Sequence, residues 1–131
     1  MNKITISSKP LKAALDKALT CVNVASSITP ICEFVKLTTE GGNTCMHITD
    51  LKNFIATDLA FEYDAPGTLL ISHIELNKYL ALIGDIPLTI ERSSKQSVVT
   101  ITAGDDIAEI PIEKEDAFPK LNFIDCELIR L

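Results

Sequence analysis

Ile4-Thr5-Ile6-Ser7, followed by Lys9-Pro10-Leu11-Lys12-Ala13-Ala14-Leu15-Asp16-Lys17-Ala18-Leu19-Thr20-Cys21-Val22, reads as an apolar strand that runs straight into an amphipathic helix. This stretch decides the fold because the chain repeats it. Three strand-like runs come next, Phe34–Thr39, Thr44–Asp50 and Asn53–Tyr63. Then the order restarts with strand Thr68–Ser72, helix His73–Ile83 and runs Leu88–Arg92, Val98–Ala103 and Ile107–Ile112. Side-chain identity between the halves is low, but element order and turn positions agree. A duplicated strand–helix–three-strand unit restricts the fold more than any short motif does. It predicts an α+β domain with two helices packed on antiparallel sheet, the pseudo-repeats spanning residues 3–63 and 68–112.

Within the first helix, Leu11, Leu15, Ala18, Leu19 and Val22 fall in one stripe at helical spacing, the face to be buried. Ser8 is the expected N-cap, and Pro10 sits early, where its missing N–H costs little. The other side carries Lys9, Lys12 and Lys17 with Ala13, Asp16 and Thr20, the most basic face that the sequence offers. In the second helix, His73 caps or opens the first turn and Leu76, Tyr79, Leu80 and Ile83 form the buried stripe. Ile74, Lys78, Ala81 and Leu82 lie opposite, so that face is weakly basic and partly apolar.

Gly41-Gly42-Asn43 and Ser93-Ser94-Lys95-Gln96 occupy matching places as hairpin turns, Gly104-Asp105-Asp106 is a further turn, and Ala65-Pro66-Gly67 joins the halves. Val99, Ile101 and Ala103 alternate with Thr100 and Thr102 as a half-buried strand should. Pro111 marks its run as an edge strand, since proline donates nothing to a ladder.

At 131 residues the chain is one domain with room for a real core, and its 47% hydrophobic and 23% charged residues are ordinary for a globular protein. No secretory leader or membrane-length apolar run is present, so a cytoplasmic protein with no membrane contact is expected. Cys21, Cys32, Cys45 and Cys126 lie in apolar patterns without a CxxC pair, as reduced core residues do. Net charge is −6, but it is polarised. From Asp105 onward eight acids face three bases, while residues 1–104 hold ten acids and nine bases. That balance excludes a uniformly basic nucleic-acid binder yet permits one basic face.

Nothing forms a catalytic constellation. His47 and His73 sit in different halves with no Cys or carboxylate at ligand spacing, and no phosphate-cradling glycine loop or nucleophile elbow occurs. Asp105-Asp106 is a carboxylate pair in a turn, where such acids serve local hydrogen bonding. No metal, no cofactor and no enzymatic activity are expected.

Several pieces, in order and spacing, resemble the N-terminal domain of the bacterial sliding clamp, the beta subunit of DNA polymerase III. They are Lys3-Ile4-Thr5-Ile6 with the leucine-rich helix, Thr29-Pro30-Ile31, Ile48-Thr49-Asp50-Leu51 and Leu70-Ile71. Val99-Thr100-Ile101-Thr102-Ala103-Gly104 and Ala117-Phe118-Pro119-Lys120-Leu121 complete the set. The resemblance runs from Lys3 to Leu121. It implies a DNA-replication processivity factor, a ring with helices lining the hole and strands forming the outer wall. Duplex DNA would be held by sequence-independent contacts to phosphates, from Lys9, Lys12, Lys17 and Lys78 with Ser26 and Ser27. It also implies a replicative polymerase and a clamp loader as partners, and assembly with other clamp domains or as a homo-oligomer. Ile74, Glu75, Lys78, Leu82, Ile107 and Ala108 are the expected oligomer contacts. Residues 122–131 would be a linker or the first strand of a second domain.

The chain departs from the family pattern at three places. Asn23–Ser27 lacks the arginine often found near DNA, Ile74-Glu75 replaces a basic pair, and Gly104-Asp105-Asp106-Ile107-Ala108 stands where Gly-Arg-Ser-Arg-Phe is usual. A clamp-fold protein-interaction module that does not encircle DNA is therefore the alternative expectation.

Overall fold

A computed structural model describes residues 2–22, 30–93, 97–113 and 127–130. Strand β1 (Lys3–Ser7) leads into helix α1 (Ser8–Leu19), and a 3-10 turn (Pro30–Glu33) leads into β2 (Phe34–Glu40). Next come β3 (Asn43–Thr49), β4 (Asn53–Asp58) and the short β5 (Glu62–Tyr63). The second half is β6 (Thr68–Ser72), α2 (His73–Leu82), β7 (Pro87–Arg92), β8 (Val98–Ala103) and β9 (Asp106–Glu113), with β10 (Glu127–Arg130) last. All strands join one sheet in the order β10-β4-β3-β2-β6-β9-β8-β7-β1-β5. Nine of them pair antiparallel, and β10 adds to β4 in parallel.

The duplication holds residue for residue in the ladders. Ser7 and Ser72 each end a strand at the entry to a helix, the first opposite Pro87 and the second opposite Phe34. Lys36 pairs with His47 in β2–β3, and its equivalent Thr89 pairs with Thr102 in β7–β8. Likewise β9 pairs with β8 along Asp106–Pro111 and then with β6 at Ile112 and Glu113. In the first half β4 pairs with β3, and β5 then pairs with β1. Each half thus closes its last strand on its own first strand, and the two units are tied together by the β1–β7 and β2–β6 ladders.

Alternation explains the core. In β8, Val99, Ile101 and Ala103 are buried while Val98, Thr100 and Thr102 are half-buried. Ile4 and Ile6 of β1, Leu11, Leu15 and Ala18 of α1, Leu76 and Leu80 of α2, and Leu37, Met46 and Ile48 of the sheet form one apolar cluster. Each fully buried leucine stabilises by about 2 kcal/mol relative to exposure. The two helices pack against each other as well as on this face. Gly41 and Gly42 both have positive φ in the two-residue turn between β2 and β3, which matches strand twist, and Gly104 (φ 62) opens the turn between β8 and β9.

Two local expectations change and two are narrowed. Helix α1 ends at Leu19 rather than Val22, where Thr20 Oγ1 turns back to donate to the Lys17 carbonyl. Ser8 is not the N-cap. Ser7 holds that position without a side-chain bond, and Ser8 is buried, its Oγ donating to Gly84 O at 2.9 Å and accepting from Ile86 N at 3.0 Å. For α2, the cap is Ser72, whose Oγ accepts from Glu75 N, so His73 opens the helix without capping it. Strand β9 lies between β8 and β6 in the sheet order, but at Pro111 only the β8 side is paired, so the edge character expected there is local. Ile112 N donates to Ser97 O on the β8 side, so by antiparallel alternation the nitrogen of Pro111 faces the other way, where β6 pairing has not begun.

Candidate nucleic-acid interface

The outward side of the two helices is assembled by the stripes that bury their other sides. On α1, Lys9 and Lys17 are exposed and Lys12 is half-buried. On α2, Lys78 is exposed one turn after Ile74. Lys12 is the best fixed. Its ammonium donates to Asp16 Oδ1 at 3.1 Å and across to Asn77 Oδ1 of α2 at 3.0 Å. Lys78 lies 3.5 Å from Glu75 Oε1. Among the described residues, Lys9 and Lys17 make no ion pair.

Two shallow grooves flank Lys12. One, of 490 Å³, is lined by Lys12, Leu19, His73, Ile74, Asn77, Lys78 and Ala81, between the helices. The other, of 440 Å³, runs past Ser8, Lys9, Lys12 and Asp16 to Leu80, Gly84 and Asp85. The structure therefore brings Lys9, Lys12 and Lys78 around adjoining grooves, with Lys17 further along α1. Ser26 and Ser27 lie outside the described residues. Such a face presents ammonium groups, which suit phosphate contacts that read no bases.

Sequence reading missed two members of this site. Asn77 carries no local signal, since its importance comes from facing Lys12 across a helix–helix contact. His73 is buried, with Nε2 2.7 Å from Cys32 O, and burial holds its imidazole below the ordinary range, against the opposing pull of the Cys32 carbonyl bond and the Glu33 charge. Tyr79 lies outside both grooves, packed against the core and half-buried, and its hydroxyl has no partner among the described residues. Burial pushes that phenol up, with Asp106 adding to it.

The oligomer candidates separate. Ile74 and Lys78 belong to the interhelical groove and Glu75 pairs with Lys78, whereas Ile107 and Ala108 sit on β9. Leu82, 85% exposed, ends α2, which packs on β9.

The two helices side by side on a sheet with duplicated register match known structures. The sliding clamp of Caulobacter crescentus superposes with a TM-score of 0.80 at 22% identity, over 93% of this chain and 33% of that one. The DNA polymerase beta subunit of Streptococcus pyogenes gives 0.79 at 16% identity, over 92% of this chain and 32% of that one. The Bacillus subtilis clamp gives 0.79 at 16%, over 92% and 33%. The fold is that of a sliding-clamp domain. The chain spans about a third of the length of these clamps. No family model and no curated protein matches the sequence.

No helix among the described residues is long and apolar enough to cross a membrane. Nor do they contain a group of three or more potential metal ligands. One expectation about ligands is corrected, because Cys45 Sγ lies 3.5 Å from His47 Nε2. A two-residue spacing puts both on one face of β3, opposite to the face of core residues Met46 and Ile48. Cys32 and Cys45 are buried and, like half-buried Cys21, are free thiols, while Cys126 lies outside the described residues.

Proposed function

We propose that this chain is a clamp-type DNA-replication domain that contacts duplex DNA without sequence preference through the outward faces of α1 and α2, and that its role is non-catalytic. The observation that carries the reading is the clustering of Lys9, Lys12 and Lys78 around adjoining grooves, with Lys17 on the same helix, in a chain of net charge −6. The fold neighbours support it, being bacterial clamps and DNA polymerase beta subunits. Phosphate contacts by lysine fix no register on the bases, so a domain held this way slides. Ser26 and Ser27 would add hydroxyl contacts. The unit comprises residues 1–121, with 122–131 as a linker whose strand β10 docks on β4. In a full ring, other clamp domains or further copies would meet it at Ile107 and Ala108 on β9 and at Leu82, Ile74 and Glu75 on α2. A replicative polymerase and a clamp loader would act on that ring in the cytoplasm.

The test is a salt series on a duplex of about 30 base pairs, read by fluorescence anisotropy from about 25 to about 200 mM salt. Four lysine–phosphate contacts give a slope of log K against log salt of about −3.6, and Lys9→Ala with Lys17→Ala reduces its size by about 1.8. Absence of salt-dependent binding at the lowest ionic strength would remove the DNA-contact reading. A second reading, a clamp-fold module that binds protein and not DNA, is favoured by the pairing of Lys12 with Asp16 and Lys78 with Glu75 and by the exposure of Leu82. It predicts that the same lysine substitutions leave the protein's cellular role intact.

A further inference from the structure

One bond between the helices fixes the orientation of a side chain. Lys12 Nζ meets the amide of Asn77 at 3.0 Å, and an ammonium only donates, so the atom it meets is the carbonyl oxygen Oδ1. The amide nitrogen Nδ2 is therefore turned away from Lys12, and its N–H groups have no partner among the described residues. Asn77 is half-buried and lines the 490 Å³ groove between α1 and α2. Lys12 lines the same groove. Its ammonium directs one proton to Asn77 and one to Asp16 Oδ1 at 3.1 Å, which leaves a third without a partner among the described residues. Half-buried donors of this kind are filled by water or by a ligand that accepts.

Asp16 and Glu75 stand against Lys12 and Lys78 and offset part of their charge, so this place is distinguished by directed donors more than by net positive charge. A group that only accepts, and carries several acceptor oxygens on one centre, matches it. Phosphate is such a group, with one oxygen for Nδ2 and another for Nζ. The neighbouring side chains of Leu19, Ile74 and Ala81 offer no competing acceptor. We propose that Asn77 Nδ2 and Lys12 Nζ form a seat for one phosphate group, filled in the DNA-contact reading by a phosphate of the duplex backbone. The inference deepens that reading and rests on it for the source of the phosphate. A neutral amide releases no counterion, so Asn77 adds affinity without steepening the salt dependence, unlike the lysines.

The experiment uses the full chain, first with inorganic phosphate alone and then with the duplex. NMR follows the Asn77 side-chain amide, and anisotropy follows duplex affinity through the salt series. Both phosphate and duplex should shift the amide. Asn77→Leu, close in size but without polar atoms, should weaken duplex binding about tenfold while the salt slope stays within about 0.3 of the parent's. Asn77→Asp still accepts from Lys12 but has no N–H to give, so it should weaken binding at least as much. Lys9→Ala with Lys17→Ala should flatten the slope yet leave the phosphate-induced shift in place. An amide that neither phosphate nor duplex moves overturns the seat, and this readout needs no variant to fold. So does a loss below about twofold in Asn77→Leu, a flattened slope in that variant, or parental affinity in Asn77→Asp, which marks a residue that only holds Lys12. If phosphate moves the amide and the duplex does not bind, the seat stands and the DNA reading falls.

Discussion

Replacing Ser8 by alanine tests how the two halves are clasped. Its hydroxyl bridges the link between α2 and β7, donating to Gly84 O at 2.9 Å and accepting from Ile86 N at 3.0 Å, while its own N–H donates to Ile86 O at 3.1 Å. Ser8 is buried and Ile86 half-buried, so loss of the hydroxyl removes two bonds of about 1 kcal/mol each and strands an N–H with poor access to water. The expected cost of Ser8→Ala is about 2 kcal/mol, or a fall in Tm of about 8 °C for a domain of this size. Ser8→Asp separates this clasp from a simple helix cap. As a cap, aspartate serves as well as serine. In the clasp, an ionised carboxylate has no proton for Gly84 O and is forced into a buried position, so it should destabilise more than alanine does. Ser7→Ala, which removes no side-chain cap bond, should change stability by less than about 0.5 kcal/mol. Urea and thermal unfolding of the full chain measure all three. Ser8→Ala within about 0.5 kcal/mol of the parent, or Ser8→Asp as stable as the parent, would refute the clasp.

Tyr79→Phe deletes a hydroxyl that has no partner among the described residues, so unfolding in urea should show unchanged or increased stability, by up to about 1 kcal/mol. Gly104→Ala meets no atom within 4 Å, so its cost of about 1 kcal/mol comes from the left-handed backbone alone, and Gly104→Asn should cost less. His73 is held neutral by burial, so the unfolded chain takes up its proton more readily. Stability is complete above the unfolded value near 6.5 and should fall as pH drops through it toward the folded value. His73→Gln should flatten that slope in unfolding measured at about pH 7.5 and pH 5.5. Leu15→Ala opens a cavity in the shared core at a cost of about 3 kcal/mol, a larger loss than at exposed Leu82.

The element plan was legible because it is written in local periodicity. Leu11, Leu15 and Ala18 mark a buried helical stripe whatever they pack against, and Val99, Ile101 and Ala103 mark a strand face in the same way. Gly41-Gly42 announces its turn because only a residue without a side chain takes positive φ at both positions at little cost. The site was legible only in part. The lysines on α1 could be assigned to one face from spacing. That Lys12 is held by Asn77, 65 positions along the chain, depends on how two helices meet.

The sequence by itself determined the duplicated strand–helix–three-strand order, the inward faces of both helices and the acidic bias after Gly104, because each follows from residue type and short-range spacing. Only the tertiary structure decided that Ser8 clasps the opposite half, that β9 lies between β8 and β6, and that β10 covers the outer edge of β4. Those are outcomes of strand partnership between distant segments. A hydrogen-bonding edge has the same local sequence whether or not a neighbour arrives to fill it.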